Sequence, residues 1–226
     1  MNPEALLREG AAALDFPLSE EQAERLMLYF TELRKWMRRI NLVARDTTEE
    51  QLIELHFLDS LILAPLVAHH PELHLLDIGS GAGFPGLVLA AVLPEARFTL
   101  VEPRQKRAVF LRHVARLLGL NRVQVVKERV ETLYEQHRGA YSHITGRAVA
   151  EPAAFLAMAE PLTAADLAAT TEVILFLARP QSLETLSQEI QARWRLHGER
   201  SIELPFTRAP RYLACLRRVA PPKITV

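Results

Sequence analysis

The chain is poor in the residues that staple or metallate small folds. It carries one cysteine in 226 residues, Cys215, so no intramolecular disulfide can close, and there is no C-x-x-C pair to hold zinc or exchange thiols. A reducing, cytoplasmic setting without a bound metal is the expectation. No stretch reaches the run of about 18 apolar residues that a membrane span requires, and residues 1–5 lack the basic-then-apolar start of a secretion signal. No membrane partner is therefore expected. An excess of one charge sign is also missing: Lys plus Arg and Asp plus Glu each number 27, so net charge neither demands nor forbids a polyanionic partner. Aromatic residues make up 7% of the chain and glycine contributes nine positions, without repeats or low-complexity tracts. At 49% hydrophobic and 24% charged, the composition excludes global disorder. The length suits one large α/β domain with a small appendage.

What is present begins with helical periodicity. Leu6 and Leu7, then Leu26, Tyr29, Phe30 and Leu33, then Leu52, Leu55, Leu58, Leu61 and Ile62 recur at helical spacing over residues 1–70. Ser19 followed by Glu20, Glu21 and Gln22 reads as a helix start with a capping box, and Thr48 to Gln51 repeats it. From residue 71 short apolar runs alternate with helical ones, the pattern of βαβ units. Strands are predicted over 73–78, 97–101, 122–126, 141–145 and 173–178. Helices are predicted over 85–93, 104–118 (with Phe110, Val114 and Leu117 on one face), 152–162 and 182–196. Runs at 202–206 and 212–219 predict an antiparallel hairpin. The reading is a mostly parallel seven-stranded sheet over 71–226 with an antiparallel last strand, preceded by a helical cap over 1–70.

Such sheets bind ligands at the carboxyl ends of their strands. There the chain places Asp77, Ile78, Gly79, Ser80, Gly81, Ala82, Gly83, Phe84, Pro85 and Gly86. Alternating glycines let a ligand lie against bare backbone. Gly81-x-Gly83-x-x-Gly86 formally fits a dinucleotide fingerprint, but Pro85 offers no N–H at the helix start, where a pyrophosphate would need one. A carboxylate at Asp77 repels phosphate and attracts an ammonium or sulfonium, which favours S-adenosylmethionine over NAD. Glu102, after the next strand, is placed for ribose hydroxyls. Val130 and Glu131, after the third, are placed for an adenine ring, although Glu131 equally suits a solvated helix start.

These residues resemble the RsmG (GidB) family of bacterial methyltransferases. The likeness covers nearly the whole chain and rests on residues 77–86, on Asn41-Leu42 after the helix with Trp36, on His56-x-x-Asp59-Ser60, and on Gly146-Arg147-Ala148. It implies a class I S-adenosylmethionine-dependent fold and methylation of N7 of a specific guanine in 16S rRNA. The implied substrate is naked rRNA, the small ribosomal subunit or its assembly intermediate, with a monomeric, cytoplasmic enzyme. Cofactor contacts are implied at Gly79, Phe84, Val130, Glu131 and Arg147. Two departures stand out: Ala178-Arg179-Pro180 where a Lys-Gly pair is expected, and Val43 where the family has threonine.

Guanine N7 is an exposed lone pair, so no general base is required, and no catalytic acid or base is assigned. Neither an Asn/Asp-Pro-Pro-Tyr tetrad nor a Pro-Cys nucleophile is present, which counts against exocyclic-amine and cytosine C5 chemistry. Arg147 is placed to grip a phosphate or the cofactor carboxylate. His56, Asp59 and Ser60 fall on one helical face. Two basic stretches, residues 34–45 around Trp36 and residues 104–116, suit either RNA phosphates or solvated helix faces. The alternatives are methyl transfer to another RNA or a small molecule, an NAD-dependent oxidoreductase, and a non-catalytic RNA-binding protein that keeps the pocket.

Overall fold

The computed structural model describes residues 2–163, 171–177 and 188–219. Arg179 and the alanine-rich patch at 164–169 lie outside them. The N-terminal segment folds as α1 (Pro3–Ala13), α2 (Glu20–Met37) and α3 (Glu49–Leu52). Both capping boxes form: Ser19 exchanges hydrogen bonds with Gln22, and Thr48 with Gln51. These caps satisfy N–H groups that no earlier turn can meet. After α3 the chain widens into a π-helical turn, Ile53–Leu58, before α4 (Asp59–Leu61) and α5 (Ala64–Val67).

Seven strands follow: β1 (His74–Ile78), β2 (Arg97–Val101), β3 (Val123–Val126), β4 (His143–Gly146), β5 (Glu172–Leu177), β6 (Trp194–Glu203) and β7 (Pro210–Arg218). Their order in the sheet is β3-β2-β1-β4-β5-β7-β6. Six strands run parallel, and β7 enters antiparallel between β5 and β6. This is the class I methyltransferase sheet. The connecting helices are α6 (Gly86–Val92), α7 (Gln105–Leu117), α8 (Pro152–Ala159) and α9 (Gln188–Arg193). No helix among the described residues is long and apolar enough to cross a membrane.

Because side chains alternate along a strand, β1 feeds two cores. Leu75 joins Leu7, Leu26, Phe57, Leu87 and Phe110 on one face, while Leu76 and Ile78 join Val101, Ile144, Phe155 and Val173 on the other. The N-terminal helices and the sheet thus share one apolar cluster. α6, sandwiched between α2 and the sheet, is buried on every side, as its unbroken apolar sequence requires.

The structure corrects three local expectations. The predicted helix over 182–196 ends at Arg193, and Trp194 and Leu196 instead belong to β6, where ladder pairing with β7 overrides helical periodicity. The same pairing stops β6 at Glu203, short of residue 206. Leu117 is exposed, and the buried stripe of α7 runs through Phe110, Leu111, Val114 and Ala115, because α7 ends at Leu117 and Gly119 takes a positive φ to turn the chain.

A buried carboxylate ties the π-helical turn to the distant hairpin. Glu54 accepts hydrogen bonds from the N–H groups of Phe206 and Thr207 at 2.9 and 2.7 Å, and from Thr207 Oγ1 at 3.1 Å. Glu54→Gln keeps an acceptor but loses the charge assistance, and should cost about 1–2 kcal/mol. At this chain length that is a Tm lower by roughly 3–6 °C. An unchanged thermal melt at pH 7 would refute this role.

Candidate active site

The sheet order reverses between β1 and β4, so the crevice at their carboxyl ends is the expected ligand position. The glycine loop begins there. The N–H groups of Gly79 and Ser80 both donate to the carbonyl of Val101, at 2.9 and 3.0 Å, which anchors the loop to β2. Gly79, Gly81 and Gly83 adopt φ of 70°, 60° and 101°, a region that other residues enter only with strain. A Cβ on Gly79 would stand 2.8 Å from Val149, and one on Gly83 would stand 2.5 Å from the Tyr29 hydroxyl. These positions can hold only glycine without displacement of their neighbours.

Two carboxylates brace the loop. Glu102 accepts from Gly81 N–H through Oε2 at 3.0 Å and from Arg104 N–H through Oε1 at 2.8 Å. Each oxygen keeps a further lone pair for a ligand. Asp77 is fully buried. Its Oδ2 accepts from Gly86 N–H at 3.0 Å at the start of α6, while Oδ1 has no partner among the described residues. Burial pushes this carboxyl up to about 7, against the opposing pull of the Gly86 hydrogen bond, the nearby Ser80 hydroxyl and the Arg147 charge.

Phe84, at the end of the loop, is the centre of a stack. Its ring lies 5.0 Å from that of His56, and the Arg147 guanidinium stands 5.2 Å from its centroid. Arg147 also donates to the Leu55 carbonyl at 3.0 Å, to Asp59 Oδ2 at 2.7 Å, and to His56 Nδ1 at 3.0 Å. A guanidinium only donates, so Nδ1 accepts and the imidazole proton sits on Nε2. Burial, together with the Arg147 charge, lowers the His56 pKa to about 4, and the ring is neutral at physiological pH. Asp59 Oδ1 accepts from Arg211 Nε at 2.5 Å, so one carboxylate joins the end of β4, the start of β7 and the N-terminal helices.

The structure thus gathers Asp77, Gly79, Gly81, Gly83, Phe84, Glu102 and Arg147 at one sheet edge. Val130 is buried in the cluster with Ile78 and Val101, at the ends of β1 and β2, whereas Glu131 is exposed on the following 3-10 turn. The face expected for His56, Asp59 and Ser60 is only partly realised. His56 and Asp59 reach Arg147, but Ser60 turns back to donate to the His56 carbonyl at 2.5 Å, the i−4 back-bond that a helical serine commonly makes. Cys215 is buried in β7, and burial raises its thiol to about 11, so it packs as a small apolar group.

Sequence reasoning missed Tyr29 and Arg211. Tyr29 looks like one more apolar helix position, yet its hydroxyl donates to the Ala82 carbonyl inside the glycine loop, and its ring stacks on Phe84 at 5.8 Å. Tyr29→Phe should leave that carbonyl unmet and cost about 1–2 kcal/mol. Chemical denaturation checks this, and equal midpoints for both proteins would rule it out. Arg211 lies 152 positions from Asp59, so no local signal could have paired them.

The family profile described as GidB, rRNA small subunit methyltransferase G, matches residues 22–213. A ribosomal RNA small subunit methyltransferase G from Desulfotalea psychrophila is 41% identical over 217 residues, which is 93% of this chain and 96% of that protein. Its counterpart from Roseiflexus sp. is 45% identical over 159 residues, 70% of this chain and 67% of that one. Among solved structures, TrmN from Thermus thermophilus superposes with a TM-score of 0.53 at 17% identity, covering 72% of this chain and 49% of that one. TYW2 from P. horikoshii, solved with MeSAdo, gives 0.51 at 15% identity, covering 67% and 58%. Those two likenesses carry the fold. With the profile spanning most of the sequence and a relative aligned almost end to end, the chain belongs to the rRNA small subunit methyltransferase G family.

Proposed function

We propose that this protein transfers a methyl group from S-adenosylmethionine to N7 of a guanine in 16S rRNA, with the small ribosomal subunit or its assembly intermediate as substrate. The observation that carries the reading is the glycine loop braced by Asp77 and Glu102 beside Arg147, in a chain of this family. When bound, the cofactor supplies an electrophilic methyl on a cationic sulfur. The residues suit that group. Bare backbone at Gly79, Gly81 and Gly83 admits its nucleoside, and the free lone pairs of Glu102 accept from ribose hydroxyls. Val130 supplies an apolar wall for adenine, and Glu131 stands at its rim.

The unpartnered Asp77 oxygen is the acceptor that a cationic ligand would meet. Arg147, held by Asp59 and His56, orients the cofactor carboxylate or a substrate phosphate. No group need remove a proton, because N7 presents a lone pair. His56 Nδ1 is already engaged by Arg147, in keeping with rate enhancement by alignment and exclusion of water. We read the protein as a monomer acting in the cytoplasm.

The test is transfer of labelled methyl to small subunits from a strain lacking this protein, followed by mapping of the modified nucleotide. Label at guanine N7 in 16S rRNA is the expected result. No incorporation by protein that binds S-adenosylmethionine would overturn the substrate assignment and turn attention to another RNA or a small molecule.

A further inference from the structure

We infer that the cleft between α2 and α7 seats the single-stranded RNA flanking the target guanine, with Arg38, Arg39 and Lys106 holding phosphates over a floor made by Trp36. The inference rests on the RNA substrate proposed above and assigns it a surface. The two basic stretches lie far apart in sequence, yet they pack side by side. The Trp36 ring lies 5.5 Å from Phe110 and 5.3 Å from His113 of α7, and His113 Nε2 meets Glu32 of α2 at 2.8 Å. Between the helices is a cleft of about 710 Å³. Trp36 is half-buried at its floor and Val109 is 40% exposed beside it.

Charge decides the occupant. Among the described residues the only acid lining the cleft is Glu32, and it is consumed by Lys35 at 2.6 Å and by His113. Arg38, Arg39 and Lys106 have no carboxylate partner among the described residues, whereas Arg8, Arg25, Arg34, Arg147, Arg211 and Arg217 each lie against one. Three cations that no carboxylate among the described residues neutralises therefore border this one cleft. Arg38 also borders a second depression with Arg45, which extends the positive track. Cations flanking a half-buried aromatic and an apolar floor match a polyanion that carries stackable bases.

The helix that walls the cleft also borders the glycine loop. Arg107, next to Lys106, donates to the Asn41 carbonyl at 3.2 Å, and its Nη1 stands 3.9 Å from where a Cβ on Gly81 would lie. α7, which forms one wall of the cleft, therefore also reaches the glycine loop.

The test measures binding of a fluorescent single-stranded RNA at several salt concentrations, together with KM for small subunits. Arg38→Glu, Arg39→Glu and Lys106→Glu change exposed, unpaired side chains, so folding should survive. Each should weaken RNA binding about tenfold and make the log–log salt dependence shallower by about one. KM for subunits should rise in parallel, with S-adenosylmethionine affinity within about twofold of the parent, a tolerance below one lost contact. Arg195→Glu, on the far edge strand, controls for charge alone. Trp194 is buried, so quenching of indole emission by RNA should vanish in Trp36→Phe. Unchanged RNA affinity and KM in all three charge variants would overturn the inference even if methylation proceeds. Lost RNA affinity in a protein that methylates no subunit would retain the cleft as an RNA site and refute only the reaction.

Discussion

Replacing Asp59 with alanine should cost about 3–5 kcal/mol. Its carboxylate is 5% exposed and is the counter-charge for both Arg147 and Arg211. Removing it leaves two guanidiniums facing each other in a partly buried place with neither attraction nor full hydration. A Tm lower by roughly 10 °C or more is expected at this chain length. Arg147 would also lose the anchor that holds it over Phe84. Asp59→Asn, which keeps the shape but has one oxygen to accept from one arginine and turns an NH2 donor toward the other, should retain only part of the stability and still weaken S-adenosylmethionine binding if Arg147 orients the cofactor. Calorimetry on both variants decides the matter. An alanine variant that melts with the parent and binds the cofactor normally would remove Asp59 from any positioning role.

The second large effect concerns pH. Burial raises the Asp77 pKa from 3.8 to about 7 in the folded chain, while the unfolded chain keeps the ordinary value. Between those limits the folded state holds a proton that the unfolded state has released. The Asp77 contribution to the stability of the ligand-free protein is therefore fully present below about pH 4, declines as pH rises toward 7, and is level above it. The three-unit window corresponds to a loss on the order of 4 kcal/mol. Asp77→Asn should abolish this slope, because an amide can still accept from Gly86 N–H and can never ionise. The variant should accordingly be the more stable of the two at pH 8. A cationic cofactor favours the ionised form, so S-adenosylmethionine affinity of the parent should rise about tenfold from pH 6 to 8, with the variant flat. Parallel stability curves for the two proteins across pH 4 to 8 would contradict this account.

Local rules carried much of the fold. The capping boxes at Ser19 and Thr48, the glycine stop at Gly119, and the alternation of short apolar runs with helices depend on neighbours within a turn or two. The glycine loop was legible for the same reason: three alternating glycines between an apolar strand and a helix have few uses other than close backbone approach. Local rules failed at Trp194, where a helical pattern yielded to the β6–β7 ladder, and at Ile53–Leu58, where the helix widened. In both, contacts from distant parts of the chain outweighed a weak local preference.

By itself, then, the sequence determined the doubly flanked parallel sheet, the antiparallel ending and the position of the glycine loop, because periodicity, capping and turn chemistry act over a few residues. It also supplied the basic stretches, without saying whether they face one another. Only the tertiary structure decided that Asp59 serves two arginines distant from it in sequence, that the Tyr29 hydroxyl closes onto the loop, and that one Asp77 oxygen is left unmet. Those outcomes depend on burial and on which distant side chains converge. Neither is set until the sheet has brought β1, β4 and β7 to one edge and the N-terminal helices have packed against it.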